Sequence, residues 1–172
     1  MNKLYDIELA KKITREQDES VLIFYLDSLI SKIEAILGYS LQLSERTEEV
    51  TGLNKTYVYV KARPLKSVLE CRFYGADITD SISIEENKKI NLGFKLCNKE
   101  TVNLKYMAGF SELPKSIQMF LFSEVMQITN RADFQGIESY KIKDIAYTFT
   151  SKEDKEKIFE NEVKNLFGAI WI

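Results

Sequence analysis

Apolar residues at helical spacing mark the first part of the chain. They recur every three or four positions as Leu22, Leu26, Leu29, Ile33 and Ile36. An amphipathic helix buries such a stripe on one side, and Gly38 follows it as a natural stop. A shorter helix is expected over residues 4–13. The stretch 14–17 has the form of a capping box for the long helix, with Asp18 and Ser20 as competing caps.

Alternating apolar and polar residues replace this pattern in the middle of the chain. The period of two predicts strands at Tyr57–Val60, Val68–Tyr74, Ile82–Ile84, Ile90–Leu96 and Val102–Tyr106. Pro64 ends the first of them or places it at a sheet edge, because proline cannot donate to a ladder. Polar turns at Gly75–Asp77 and Glu86–Lys89 separate short strands, which is typical of antiparallel hairpins and not of parallel units.

Helical spacing returns after the strands. A second long helix is expected to begin at Pro114, whose fixed φ suits a first turn, and to end near Asn130. The apolar residues of the stretch 140–149 alternate, which predicts an extended segment or a hairpin. A densely charged run begins at Ser151 and leads into a last helical stripe. That stripe and the aromatic residues beside it comprise Phe159, Val163, Leu166, Phe167, Ile170 and Trp171.

These patterns together predict an α+β fold. We expect a small antiparallel sheet or set of hairpins, two main helices packed together, and a C-terminal helical tail. The change of character near Thr150 divides the chain into a domain of residues 1–150 and a tail of residues 151–172. A length of 172 residues suits one compact domain with such an appendage.

Composition narrows the possible chemistry, because the chain contains no histidine. Without imidazole there are no Ser–His or Cys–His nucleophile pairs and almost no transition-metal sites. Cys71 and Cys97 are too few for structural zinc and are interpreted as small core hydrophobes. The carboxylates of Asp77–Asp80 and Glu85–Glu86 suit Mg²⁺ or Ca²⁺, but they fall in turns, where acidic residues are common. We expect neither an enzyme nor a bound cofactor or metal.

Membrane and secretory roles find no support in the hydropathy pattern. The longest apolar run, Val21–Leu26, is too short to cross a bilayer. The first residues lack the apolar stretch and cleavage site of a secretory signal, so we expect a protein kept in a cytoplasm. A net charge of −2 argues against a protein that clamps DNA through its phosphates, although it suits a conduit through which DNA slides.

One basic stretch keeps a nucleic-acid role open. Four cationic side chains lie within twelve residues and near three tyrosines. They are Lys61, Arg63, Lys66 and Arg72. Basic and aromatic residues interleaved on a sheet can bind single-stranded nucleic acid. A solvated sheet face with strand-favouring tyrosines accounts for the same pattern.

The C-terminal stripe has two interpretations of equal weight. Its apolar residues either fold back onto their own domain or dock into another protein as a helix in a groove. Trp171 and Phe167 are typical anchor residues, since each buries a large area. The docking hypothesis uses the six residues of the stripe, from Phe159 to Trp171.

The order of segments resembles that of the head–tail connector (adaptor) proteins of tailed phages and prophages. The resemblance covers about residues 18–150 and rests on the order and spacing of weak matches. They are Asp18–Gly38 as a first long helix, Arg63–Val68 as a strand entry, Val102–Phe110 as a "Val-x-Tyr-x-Ala-Gly-Tyr" strand, Leu113–Pro114 as the second helix start, and Gly136–Asp144 as a "Gly-Ile-x-Ser" segment. Lys143 departs from the usual glycine, and the tail beyond residue 150 is longer than in the smallest members.

The resemblance implies an architectural function. Such proteins form a ring below the portal that extends the DNA channel and offers a docking surface to the tail or a stopper protein. Its implied partners are the portal protein, a stopper or tail-completion protein, further copies of the chain, and DNA that passes without sequence-specific binding. The implied location is the virion neck, assembled in the bacterial cytoplasm, and residues 151–172 would reach the portal.

A closed ring also requires a heterologous contact between neighbouring copies. We place that contact on the two long helices and on the segment 136–149. Its candidate residues are Ile137, Tyr140, Ile142, Ile145 and Tyr147. Another neck or tail-completion protein, or a small nucleic-acid-binding module, remains the alternative function.

Overall fold

The structure is a computed structural model that describes residues 4–131, 139–142, 145–148 and 152–169. The chain divides into two compact units. The sheet unit consists mainly of residues 37–112 and the helical unit of residues 5–36 and 113–168. Each unit is therefore described separately, and the helical unit is built from two separate parts of the sequence.

Among the described residues, the sheet unit contains two antiparallel sheets. Its strands are β1 (Ser44–Thr51), β2 (Lys55–Tyr59), β3 (Leu65–Phe73), β4 (Ala76–Asp77), β5 (Ser83–Glu85), β6 (Lys89–Leu96) and β7 (Thr101–Ala108). One sheet has the order β1-β7-β3-β4 and the other the order β2-β6-β5. All neighbouring strands run antiparallel, as the sequence predicts.

Both sheets contribute to a single hydrophobic core within the sheet unit. Buried residues from β2 and β6 lie in the same cluster as buried residues from β3 and β7. The cluster consists of Val58, Val60, Ala62, Leu65, Cys71, Ile90, Leu92, Leu96, Val102, Leu104, Tyr106 and Ala108. Buried residues alternate with more exposed, mostly polar residues along β7, which is the pattern of a strand with one solvated face.

The two cysteines do not share one environment. Cys71 is fully buried, and burial raises the pKa of its thiol to about 11. Cys97 follows the end of β6 and is exposed. The interpretation of both as core residues is therefore correct for Cys71 and wrong for Cys97, because β6 ends one residue earlier, at Leu96.

In the part of the chain that the structure describes, the helical unit contains four helices and a two-stranded ribbon. The helices are α1 (Ile7–Thr14), α2 (Glu19–Leu37, whose last residue belongs to the sheet unit), α3 (Lys115–Arg131) and α4 (Lys152–Ala169). The ribbon pairs β8 (Ser139–Ile142) with β9 (Ile145–Thr148). None of these helices, searched over the described residues, has the length and hydropathy of a membrane span. Helices and antiparallel sheets together confirm the predicted α+β class.

Asp18 is the residue that caps α2. Its Oδ1 accepts hydrogen bonds from the backbone N–H of Ser20 at 2.9 Å and of Val21 at 3.3 Å. Thr14 instead ends α1, and its hydroxyl donates to the carbonyl of Ala10. The capping-box pattern at residues 14–17 is therefore not used, since the chain between the two helices is long enough to supply a separate cap.

Three α-helices contribute large buried side chains to the helical unit. In α2 these are Leu22, Leu26 and Ile33, in α3 Ile117, Leu121, Phe122 and Val125, and in α4 Phe159, Val163 and Phe167. Tyr5 and Gln118 add polar connections, since the Tyr5 hydroxyl donates to Asp27 at 2.8 Å and the Gln118 side chain accepts from the amide of Asp6 at 3.0 Å.

Candidate interaction surfaces

The C-terminal helix α4 places part of its apolar stripe inside the helical unit. Phe159, Val163 and Phe167 recur every four residues and are all buried. The Phe159 ring lies 5.7 Å from the ring of Phe120 in α3, and the ammonium group of Lys32 in α2 lies 4.4 Å above it. Aromatic packing and a cation over the ring face both stabilise this arrangement. Helix α4 is thus held by α2 and α3.

The six residues predicted to dock on a portal therefore differ in accessibility. Phe159, Val163 and Phe167 are covered by their own unit, so they reach a partner only if α4 leaves it. Leu166 is half-buried. Ile170 and Trp171 lie outside the described residues. Docking through the stripe stays a prediction.

The β8–β9 ribbon arranges most of the predicted subunit-contact residues in one row. Tyr140 pairs with Tyr147, and Ile142 pairs with Ile145. Directly opposed residues in an antiparallel pair share a face, as do residues two apart, so these four positions lie on one face of the ribbon. Serine, lysine, alanine and threonine occupy the other face. Ile137 lies outside the described residues.

The helical unit also exposes apolar side chains on its long helices. Phe24 in α2 is 68% exposed, and Val21, one turn earlier, is 37% exposed. The Phe24 ring contacts the neighbouring Tyr25 ring edge-on at 5.8 Å. A large aromatic residue exposed on a helix contributes more to an interface than to the stability of the isolated chain.

The four basic residues that suggested nucleic-acid binding do not form one free patch. Lys61 lies in the loop after β2, and its backbone amide donates to Glu48 at 3.1 Å. Arg63 is half-buried. Arg72 pairs with Glu70 on β3, whereas Lys66 is exposed at the other end of that strand. Nucleic-acid binding through these four residues stays a prediction.

A different cluster of tyrosines and lysines lies on the outer face of the three-stranded sheet. We call it the tyrosine–lysine face. Its residues are Lys55, Tyr57, Tyr59, Lys89, Asn91 and Lys95. The rings of Tyr57 and Tyr59 meet edge-on at 5.4 Å. The ammonium groups of Lys89 and Lys55 lie 4.4 Å and 5.2 Å from the centre of the Tyr57 ring.

Contacts on the tyrosine–lysine face favour the charged forms of Tyr57, Lys55 and Glu85. A hydrogen bond with Lys55 lowers the pKa of the Tyr57 phenol, and the same bond raises the pKa of Lys55. Glu85 binds Lys89 at 2.7 Å and Asn91 at 2.9 Å. These contacts lower the pKa of the Glu85 carboxyl.

The sequence pattern missed this face because its members come from two strands that are 30 residues apart. In the sequence, Tyr57 and Tyr59 lie nearest to the basic residues of the stretch 61–72. In the folded chain, Tyr57 lies opposite Asn91 and Tyr59 lies opposite Lys89. The lysine opposite Tyr59 therefore comes from β6 and not from the basic stretch. Only the pairing of β2 with β6 brings them together.

The acidic clusters of the strand region have structural partners. Asp77 Oδ1 accepts from the amide of Thr79 at 2.9 Å and from its hydroxyl, which lowers the pKa of the carboxyl. Glu85 holds Lys89 and Asn91. No group of three or more potential metal ligands occurs within the described part of the chain.

Comparison with solved structures finds this fold in gene transfer agent (GTA) particles. A chain in the neck of an empty GTA particle, computed with C6 symmetry, has a TM-score of 0.52 at 14% identity and covers 91% of this chain and 87% of that one. A chain in the native GTA virion has a TM-score of 0.51 at 13% identity, with 80% and 82% covered. A chain in the neck of the native particle, computed with C12 symmetry, has 0.50 at 16% identity, with 78% and 82% covered.

At these identities the similarity shows a shared fold. No protein-family model matches the sequence, and no curated protein matches it significantly.

Proposed function

We propose that the chain is a structural subunit of the neck of a phage-like particle. Its specific role is that of a head–tail connector, which forms a ring below the portal, extends the DNA channel and presents a docking surface to the tail or a stopper protein. The observation that carries the proposal is the shared fold with a neck chain over 91% of this chain and 87% of that one. The order of connector-like sequence segments supports it independently.

A ring of identical copies is the expected assembly. The neck structures that contain the similar chains were computed with C6 and C12 symmetry. We therefore expect the number of copies to be a multiple of six. Such a ring closes through a heterologous contact, in which one surface of a copy meets a different surface of the next.

Two features of the helical unit are suited to that contact. The ribbon gathers Tyr140, Ile142, Ile145 and Tyr147 on one face. We propose that these four positions form part of the contact between copies. Phe24 on α2 offers a second apolar contact with its 68% exposure.

Docking on the portal is proposed for the end of the tail. The buried residues Phe159, Val163 and Phe167 hold α4 against its own unit. Leu166, Ile170 and Trp171 remain from the predicted docking set. A partner groove that accepts Trp171 would gain a large buried aromatic area without any unfolding of α4.

The test is native mass spectrometry with the portal ring of the same phage or prophage. The full chain should add to the portal in a multiple of six copies. A chain that ends at Ala169 retains α4 and lacks Ile170 and Trp171, so it should fold normally and lose most of this binding.

Two other outcomes would change the proposal. If the truncated chain binds as well as the full chain, the connector role stands and the docking residues lie elsewhere. If the full chain does not bind the portal but binds purified tails, the chain is a tail-completion protein. Binding to neither would contradict a neck function.

A further inference from the structure

We propose that the tyrosine–lysine face binds the phosphodiester backbone of double-stranded DNA, weakly and without sequence preference. The choice of DNA as the ligand rests on the proposed neck function. The face itself is identified by its charge and its side chains. It is distinct from the ribbon and tail surfaces of the helical unit.

The first argument is charge, because the tyrosine–lysine face is positive whereas the chain as a whole is negative. Lys55, Lys89 and Lys95 place three ammonium groups on the face, against the single carboxylate of Glu85. Its surplus of two positive charges occurs in a chain whose net charge is −2. No carboxylate within the described residues pairs with Lys55 or Lys95. Two cations are therefore available to an external anion.

The other outer face of the sheet unit provides a contrast. On the four-stranded sheet, Lys105 pairs with Glu45 at 3.0 Å, and Arg72 pairs with Glu70. Its strands also carry the exposed carboxylate of Glu49. Lys105 and Arg72 are thus neutralised by neighbouring carboxylates, whereas Lys55 and Lys95 on the tyrosine–lysine face have no carboxylate partner in the described part of the chain.

The spacing of the cations suits a polyanion. Lys89 and Lys55 lie 4.4 Å and 5.2 Å from the centre of the same Tyr57 ring, so their ammonium groups are at most 9.6 Å apart. Duplex DNA carries one phosphate charge per ~1.7 Å of helix axis, so several phosphate charges fall within the length of axis that these ammonium groups span. A single small anion would satisfy only one or two of the three lysines.

The uncharged residues of the face have matching chemistry. Phenol hydroxyls and side-chain amides donate to phosphate oxygens in protein–DNA contacts. Tyr59 is 44% exposed and Asn91 is half-buried, so both border the lysines on the surface. The lowered pKa of Tyr57 is consistent with positive potential at the same place.

Weak binding follows from the small number of contacts. Neutralising two phosphates, one each at Lys55 and Lys95, gives a slope of about −1.8 for log affinity against log salt, so affinity falls about 12-fold between about 50 mM and 200 mM salt. Contacts of this strength in each copy of a ring would favour DNA at the channel wall while still allowing it to slide.

The experiment is an NMR titration of the full ¹⁵N-labelled chain with a short DNA duplex at about 50 mM and about 200 mM salt. We expect chemical-shift changes at the amides of Tyr57, Tyr59, Lys89 and Asn91, and a slope near the value above. Shift changes confined to other strands, or no change at the lower salt, would overturn the proposal. A single strand of the same sequence should bind through the same amides, since the backbone is the shared ligand.

Two variants with the same loss of charge locate the site. Lys55→Gln with Lys95→Gln removes the two cations that have no carboxylate partner among the described residues and should bring the salt slope close to zero. Lys61→Gln with Lys66→Gln removes two exposed cations that the sequence pattern favoured, and it should leave the slope unchanged. The reverse result would assign binding to the basic stretch of residues 61–72 and reject the tyrosine–lysine face.

The outcome is separable from that of the neck function. The Lys55→Gln, Lys95→Gln variant should add to the portal ring in the same number of copies as the unmodified chain. If the chain binds DNA through this face but never joins the portal, the face stands and the connector role falls. If it joins the portal and shows no DNA contact, the connector role stands and the face is rejected.

Discussion

Gly109 shows how one residue fixes the exit from β7. Its φ is +110°, and a Cβ added there would lie 2.6 Å from the carbonyl oxygen of Gln42. Alanine would therefore meet both an unfavourable backbone conformation and a backbone atom that cannot rotate away. We expect Gly109→Ala to lower the free energy of unfolding by about 2–4 kcal/mol, measured by urea denaturation.

Gly75 provides the matched control for this substitution. It also has a positive φ, +84°, but a Cβ there would have no neighbour within 4 Å. Gly75→Ala should lower the free energy of unfolding only by the cost of the unfavourable backbone conformation, about 1 kcal/mol. Equal losses in the two variants would show that backbone conformation, and not the approach to Gln42, sets the effect at Gly109.

Ionisation of Tyr106 makes the stability of the sheet unit depend on pH in the alkaline range. The Tyr106 hydroxyl donates to Glu48 Oε2 at 2.6 Å, and burial together with this bond raises the pKa of the phenol well above its ordinary value of 10.0. Above that ordinary value the unfolded phenol loses its proton while the folded one keeps it. The folded state then binds more protons, so stability falls as pH rises. Cys71, with its pKa of about 11, acts in the same direction from pH 9.0 upwards.

Tyr106→Phe should therefore reduce the alkaline loss of stability. We expect the urea midpoint of the unmodified chain to fall from pH 9 to pH 11, and that of the variant to fall less. The pKa of Tyr5 is also raised, by burial and by Asp27. The stability of the variant should therefore still fall with pH, but less steeply. At neutral pH the variant should lose about 1 kcal/mol, the net contribution of one hydrogen bond. Identical pH slopes would mean that the pKa of Tyr106 is the same in the folded and unfolded states.

At the scale of elements, α4 is the helix whose role the sequence left open. Phe159, Val163 and Phe167 have the same periodicity whether the helix docks elsewhere or packs on its own unit. The deciding contacts, with Phe120 and Lys32, come from residues more than 35 positions earlier in the chain. Local spacing predicts the helix and its apolar face, but it does not identify what covers that face.

Substitutions in α4 separate packing from docking. Phe167→Ala should lower the free energy of unfolding by about 3–5 kcal/mol, because it removes a buried aromatic side chain and leaves a cavity. Trp171→Ala should change stability by less than about 0.5 kcal/mol and reduce binding to the portal ring. Thermal melting followed by circular dichroism, with native mass spectrometry on the portal, measures both. A normal melt for Phe167→Ala would show that the stripe is not held in the helical unit.

Two strands were not predicted from the sequence: the short β4, which lies at Ala76–Asp77 where a turn was expected, and the longer β1. The sequence of β1, SERTEEVT, contains one strongly apolar residue, Val50, so no alternation was visible. The strand forms because its whole length pairs with β7, and because Glu48 and Glu45 bond to Tyr106 and Lys105 across the pair. By contrast, β6 and β7 bury their own apolar residues and were predicted within about two residues. Strands that depend on a partner leave little local signal.

At the scale of the whole molecule, the division into units could not be read from the sequence. The helical unit joins residues 5–36 to residues 113–168 and includes α4. A boundary near Thr150 was predicted from a change in composition, and that boundary stays a prediction about the tail. Long-range assembly of this kind depends on packing between distant segments, which local periodicity does not report.

Assembly on the portal distinguishes exposed residues that take part in the contact between copies from exposed residues that do not. Phe24 on α2 and Leu53 in the sheet unit are both 68% exposed. Only Phe24 lies on a surface where we place the contact between copies. Phe24→Ser should therefore reduce the number of copies that add to a portal ring, whereas Leu53→Ser should leave it unchanged. Native mass spectrometry counts the copies in each case.

Both variants should keep the melting temperature of the unmodified chain, since neither residue is buried. Both should also sediment as 20.0 kDa monomers without the portal. Single exposed apolar residues do not offset the entropy lost on association, so the ring is expected to form only when the portal aligns the copies. Loss of copies for Leu53→Ser with normal assembly of Phe24→Ser would move the contact to the sheet unit, on the side where β1 turns into β2.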